Sequence, residues 1–292
     1  MKNNIIIRIA LFSFLILILS GCTKEKAEAI KVAAENFRSE AIVGLNQMNF
    51  LFLQNVSVVK LSDEEKIESV MNDLNSIEDA NQINAELLEH WSLENELGEQ
   101  AQSTINVEFE NLKMQYYRFE AIFTSLDKGS FFAKEAVKKA EKHAINLTVQ
   151  LINFSKIIHE NEFRFTSRRV ILIEKMKKVN TEKNLELQQE LLKNAAREFV
   201  ELNIDEQRAK DEAIRQCLKA AESGRVVAEL IKDYDKMSVG DILNTIKNSM
   251  SYAIEISGGN QDISDLLTKF EGVETTIKDD PYWHVLLDQE IK

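Results

Sequence analysis

The sequence predicts an all-α protein, a multi-helix bundle with long, partly coiled-coil-like helices. Three observations carry that prediction. One Pro and nine Gly in 292 residues leave little material for the turns a sheet protein needs. Apolar residues recur at intervals of three and four along most of the chain. Capping residues sit at the edges of those stripes, so local and longer-range signals agree.

The first segment is of another kind. Met1 to Arg8 carries Lys2 and Arg8 and no acid, and Ile9 to Leu19 is apolar apart from Ser13. A basic flank followed by a short apolar run is the layout of a secretory signal. The run is too short for a bilayer core, which needs about 20 apolar residues. Leu19-Ser20-Gly21-Cys22 follows. The small Ser20 and Gly21 let an extended backbone enter a peptidase, and the Cys22 thiol is a nucleophile that can be acylated.

This stretch resembles the signal peptide and lipobox of bacterial lipoproteins. The resemblance covers residues 1–22. It implies cleavage between Gly21 and Cys22, diacylglycerol on the Cys22 sulfur, and often a third acyl chain, such as palmitate, on the new amino group. It also implies a cell-envelope location. In a Gram-negative cell that is the outer membrane, facing the periplasm, because Thr23 rather than Asp follows the cysteine. Two or more acyl chains hold durably, since each buried methylene contributes about 0.8 kcal/mol.

Cleavage before Cys22 removes 21 of the 292 residues and leaves 271. Taking away the two cations of the leader shifts the formal net charge from −12 to −14. So acidic a body repels nucleic acid, which excludes a DNA- or RNA-binding role. With Cys22 acylated, Cys217 is the remaining thiol. No internal disulfide is then possible, and stability rests on packing. Cys217 lies in a helical pattern beside Leu218 and reads as a small buried residue.

After a short spacer at 22–30, Ala33, Phe37, Ala41, Leu45, Met48, Phe52, Val56 and Val59 mark a helix with one buried face. Ala41 to Val59 contains no charge. Its length suits a membrane, but six amides and hydroxyls within it favour a central bundle helix. Ser62 and Glu65 form a capping box ahead of Ile67, Val70, Met71, Leu74 and Ile77. Ile83, Leu87, Leu88 and Trp91 begin another helix. Ile105, Phe109, Leu112, Tyr116, Phe119, Phe123 and Leu126 make the cleanest stripe, and Asp127 to Ser130 supply its stop and the next start.

A further helix is predicted from Phe131 to about Glu160, with a bend at Asn161 to Ser167. Val170 to Val179 continues, Thr181 is a candidate cap, and Leu185 to Val200 is periodic again. Asp205 is a candidate cap for the helix that carries Cys217, and Gly224 a candidate stop. Ser238 and Asp241 start the next helix, Ser257 to Asn260 end it, and Asp262 to Phe270 is short. Asp280-Pro281 opens a terminal helix. The predicted organisation is therefore a leader over 1–21, a lipidated Cys and spacer over 22–30, a main bundle over 31–224 and a smaller C-terminal helical unit over 225–292.

No glycine-rich phosphate loop and no G-x-S-x-G elbow occurs. The four histidines are isolated, and none has Glu three residues before it, so no di-iron motif is present. No catalytic or metal-ligating residue and no cofactor is expected beyond the acyl groups on Cys22. One segment departs from the acidic background. Phe163 to Lys178 carries Arg164, Arg168, Arg169, Lys175, Lys177 and Lys178 against Glu174 alone, interleaved with apolar residues. Such a segment can contact an anionic membrane or an acidic partner. It can equally be a bundle helix whose basic face pairs with the acidic body, which the composition favours. The expected function is a membrane-anchored lipoprotein whose non-catalytic helical body is an envelope tether or protein-binding module. The alternative is a membrane-active helical protein of the pore-forming or remodelling type, resting on 41–59 and 163–178.

Overall fold

The computed structural model describes residues 2–54, 57–59, 105–124, 134–179, 181–233, 236–258 and 261–279, with side chains at most positions from Glu25 onward. The capping box at Ser62, the stripes over 67–91, the corner at Asp127 to Ser130 and the terminal helix at Asp280 lie outside the described residues. So do the side chains of Leu19 to Cys22 and of Lys177. The described chain is all-α apart from one two-stranded ribbon.

Helix α1 spans Lys2–Gln54, so its backbone is helical through Leu19 to Cys22 and on into the body. The expected spacer over 22–30 is helix, with Ala27 and Ile30 already buried. Lys, Glu and Ala dominate that stretch, and all are strong helix formers. Further along, Phe37, Ala41, Leu45, Met48 and Leu51 face the core, while Asn46 and Asn49 face solvent. The charge-free stretch is thus a bundle helix as far as Gln54. Among the described residues no helix is long and apolar enough to cross a membrane.

The predicted stripe overruns at its end. The helix stops at Gln54, and β1, Ser57–Val59, is extended. It pairs antiparallel with β2, Glu162–Arg164, in the register Ser57↔Arg164, Val58↔Phe163 and Val59↔Glu162. Consecutive β-branched residues favour the pleated conformation once a partner strand is offered. The predicted bend at 161–167 is where that partner lies.

Helix α2, over 105–124, buries Ile105, Phe109, Leu112, Tyr116, Phe119 and Phe123, as its stripe predicts. It packs on α1 through Phe37 against Phe119 (4.8 Å between ring centres) and Phe52 against Phe109 (4.7 Å). Arg38 donates to Glu120 across the same seam at 2.8 and 3.1 Å. Helix α3, Lys134–Glu160, buries Ala144, Leu147, Leu151, Phe154 and Ile158. Helix α4, Thr166–Val179, follows the ribbon and turns Leu172, Met176 and Val179 inward.

Helix α5, Leu185–Lys232, is the spine. Its 48 residues span about 72 Å at 1.5 Å per residue. Asn184, not Thr181, caps it, accepting from the amides of Glu186 and Leu187 at 3.1 and 3.4 Å. Thr181 instead donates to the Lys178 carbonyl at the end of α4. Neither Asp205 nor Gly224 interrupts the helix, so the expected boundary at 224/225 falls inside it. Gly224 is there for close approach. A Cβ would sit 2.1 Å from Thr148 Oγ1 on α3 and 2.6 Å from Phe37 Cζ on α1. Gly44 of α1 faces Cys217 in the same way, so α1 and α5 run antiparallel in tight contact.

Helix α6, Val239–Gly258, starts on the predicted capping box. The Ser238 amide donates to Asp241 Oδ2 at 2.8 Å, and the Asp241 amide returns to Ser238 Oγ at 3.2 Å. Asp262 caps α7, Ile263–Asp279, which runs nine residues past the end expected at Phe270. Arg215 of α5 donates to the carbonyls of Ile256 and Gln261 at 2.9 and 2.5 Å, tying the α6–α7 connection to the spine. Ile242, Ile256, Ile263, Leu266 and Phe270 belong to the same apolar core as α1 to α5.

Candidate functional site

The basic segment is the first place to look, and the structure turns much of it inward. Arg164 and Arg169 are buried on Glu206 of α5. Glu206 Oε1 accepts from Arg169 Nε at 3.0 Å and from the Phe165 amide at 2.6 Å, and Oε2 accepts from Arg169 Nη2 at 2.7 Å. Arg164 Nη1 reaches the same carboxylate at 3.4 Å. Arg169 also donates to Asn203 at 2.8 Å and lies 5.3 Å over the Phe199 ring. Arg164 and Arg169 are therefore internal clamps and not exposed contact residues. The physical reason is the acidic face that α5 presents, which draws guanidinium groups into bidentate pairs. Arg168 and Lys175 are more exposed and pair with Asp205, at 2.8 Å, and with Glu198. Lys178 is exposed.

A second cluster has no counterpart in the sequence reading. Between α1, α5 and α6 lies a cavity of about 130 Å³ lined by Ala33, Asn36, Glu40, Ser223, Val226, Ile246, Ser249, Met250 and Ala253. Ser223 donates its hydroxyl hydrogen to Glu40 Oε2. Lys219 Nζ stands 3.7 Å from Oε1. Burial pushes the Glu40 carboxyl above its ordinary range, and the Ser223 hydroxyl and Lys219 oppose that shift. One turn on, Arg225 grips the buried Glu222 through two nitrogens, at 2.8 and 2.9 Å, and reaches Glu229 at 2.8 Å. Those bonds raise the Arg225 pKa against the cost of burial. The chemistry on offer is recognition of a cation or a hydrogen-bond donor by a half-buried carboxylate.

The chain has no counterpart among the proteins compared. No family model, no curated protein and no solved structure matches it.

Cys217 sits fully buried against Gly44, its Sγ 3.1 Å from where a Cβ on that glycine would be. Burial pushes its thiol up to about 12. A thiol held that high has almost no thiolate at neutral pH and is inert. A thiol-directed maleimide is expected to leave Cys217 unlabelled in the native protein and to label it in denaturant. Native labelling at the denatured rate would show that the α1–α5 seam is open. Among the described residues no group of His, Cys, Asp or Glu is placed to hold a metal ion. His143 and His159 are half-buried and separate.

Sequence reasoning passed over Glu40, Ser223 and Ser249. Glu40 lies in an ordinary run of charged residues, and nothing local distinguishes it from Glu35. What singles it out is the antiparallel register of α1 on α5, which brings Ser223 and Lys219 to it across about 180 residues.

Proposed function

We propose that this protein is a lipid-anchored envelope lipoprotein, acylated at Cys22, whose non-catalytic helical body is a tether or protein-binding module. The observation that supports it most is the continuity of α1. The helix that carries the lipobox backbone is the same helix that buries Ala27, Ile30 and Phe37 in the core. An acyl-bearing Cys22 then stands five residues, about 7.5 Å along a helix, from the first buried position. The body is held close to the leaflet with a defined direction, while α5 carries its far end tens of ångströms away. That geometry suits spacing and presentation. It is joined by the acidic surface, which favours basic protein partners over anionic headgroups.

The test is Cys22→Ser in the full-length chain, read by metabolic labelling with an alkyne fatty acid and by membrane fractionation. The expected result is complete loss of label, retention of the uncleaved leader and loss of the mature membrane-bound form. Unchanged labelling, or an unchanged mature form in the membrane fraction, would overturn the proposal.

A further inference from the structure

Beyond the ribbon the described fold thins to an arm. Glu206 fastens the residue after β2 to α5, and α1 and α3 end at the same level, at Gln54 and Glu160. Past that level α4 runs antiparallel to the first half of α5, joined to it by Arg169 and Asn203 near the base and by Gln188 and the Val179 carbonyl near the tip. Leu172, Met176, Leu192, Ala195 and Phe199 are buried in the arm. One flank of α5 is left apolar. Leu185, Val200 and Ile204 are 64%, 42% and 44% exposed. With the half-buried Ala196 they fall within about 100° around the helix, on a strip about 28 Å long. A helix buries such a stripe against another element.

The chain itself supplies an element to cover it. It leaves the described residues at Val59, in the ribbon at the foot of the arm, and returns at Ile105. Ile105 stands one turn before Phe109, which stacks on Phe52 and Phe154 at 4.7 and 5.6 Å, so the return is at the same level. Between them lie residues 60–104, 45 in number. At the helical rise of 1.5 Å these amount to about 68 Å, and the strip traversed out and back is about 57 Å. Their sequence holds two apolar stripes at helical spacing, Ile67 to Ile77 and Ile83 to Trp91. Their charge points the same way. Lys60 and Lys66 stand against twelve Asp and Glu, so this segment holds ten of the chain's twelve net negative charges. The arm, 166–205, has eight Lys and Arg against seven Asp and Glu. Lys193 is exposed on the strip and Arg197 beside it, with Glu186 the acid at the far end. An acidic amphipathic segment finds both apolar wall and cations there.

We propose that residues 60–104 of this same chain dock on the arm, with their apolar side chains along Leu185, Ala196, Val200 and Ile204 and their carboxylates beside Lys193 and Arg197. The strip at the far end of the body is then occupied by the chain itself and closed to partner proteins. The proposal goes beyond the lipoprotein reading and does not rest on it.

The experiment is in-cell photocrosslinking of the full-length chain with a photoreactive residue at Val200, and in a parallel strain at Phe50. Phe50 meets Phe165 edge-on with ring centres 6.1 Å apart, so its adduct to the peptide carrying Phe165 sets the yield of a contact within one chain. The expected result from Val200 is an adduct of monomer size, mapped by mass spectrometry to a peptide within 60–104. Its yield should fall about tenfold in Ile204→Glu, which sets a like charge against the acidic segment. Ile204 is exposed, so Ile204→Glu tests the strip and leaves the bundle standing. Adducts from Val200 to another protein, to a second copy of the chain or to lipid would overturn the proposal. So would an unchanged yield in Ile204→Glu, or no adduct from Val200 beside a normal one from Phe50. Fatty-acid labelling of Cys22 is read separately, so this proposal and the lipoprotein reading can fail independently.

Discussion

Glu206→Ala is expected to lower the free energy of unfolding by about 3–5 kcal/mol, the usual cost of breaking a buried ion pair from one side. Two guanidinium groups and the Phe165 amide converge on this one carboxylate. Removing it strands Arg164 and Arg169, both nine-tenths buried, without their shared anion. The same carboxylate holds β2 and the start of α4 on the spine, so the loss falls on both. Equilibrium denaturation followed by circular dichroism measures it. Asp205→Ala supplies the contrast, because its partner Arg168 is exposed and such pairs contribute about 0–1 kcal/mol. Equal effects for the two variants would show that the Glu206 cluster is not a clamp. Glu206→Gln keeps the shape and loses the charge, and should fall between them.

Gly224→Val should be as damaging by the opposite route, overpacking. A Cβ at 224 lands 2.1 Å from Thr148 Oγ1 and 2.6 Å from Phe37 Cζ. Neither neighbour is free to yield. Thr148 donates back to the Ala144 carbonyl at 2.7 Å, and Phe37 is fully buried against Phe119. Overpacking typically costs about 1–3 kcal/mol, and a branched side chain at this distance belongs at the top of that range or above it. Gly224→Ala is the finer probe. Helix propensity alone would make it stabilising by about 1 kcal/mol. The structure predicts net destabilisation instead, with partial recovery when Thr148→Ala is added. A double-mutant cycle should show favourable coupling of about 0.5–3 kcal/mol between the two sites. A stabilising Gly224→Ala would mean that the three helices do not meet here as described.

Much of the helical architecture was legible in residue order. The stripe at Ile105 to Phe123 is buried position by position, and Ser238 and Asp241 cap α6 as a box should. Periodicity and capping act within one or two turns, so a single strand of text contains them. The misreadings came where a distant segment changed the local outcome. Val59 continued a helical stripe, yet it pairs with Glu162, a hundred residues on. Thr181 was the expected cap, and the actual path of the α4–α5 connection puts Asn184 there instead. Gly224 looked like a stop because glycine commonly ends helices, whereas here it lets three helices touch.

The candidate sites divide along the same line. The resemblance to a lipobox needs only Leu19 to Cys22 in order after a basic flank and an apolar run, all of which residue order contains. The basic run at 163–178 announced its composition but not its direction. Its meaning turned on whether acidic residues of α5 lie opposite, and they do at Glu198, Asp205 and Glu206. The groove at Glu40 was invisible beforehand. A cavity is the space left between side chains of α1, α5 and α6, and its charge depends on which residue of an antiparallel neighbour arrives beside which. Helix formation is decided by neighbours three and four apart. Burial of a charge and the shape of a void are decided by neighbours far off in the chain, and only the packed structure brings those together.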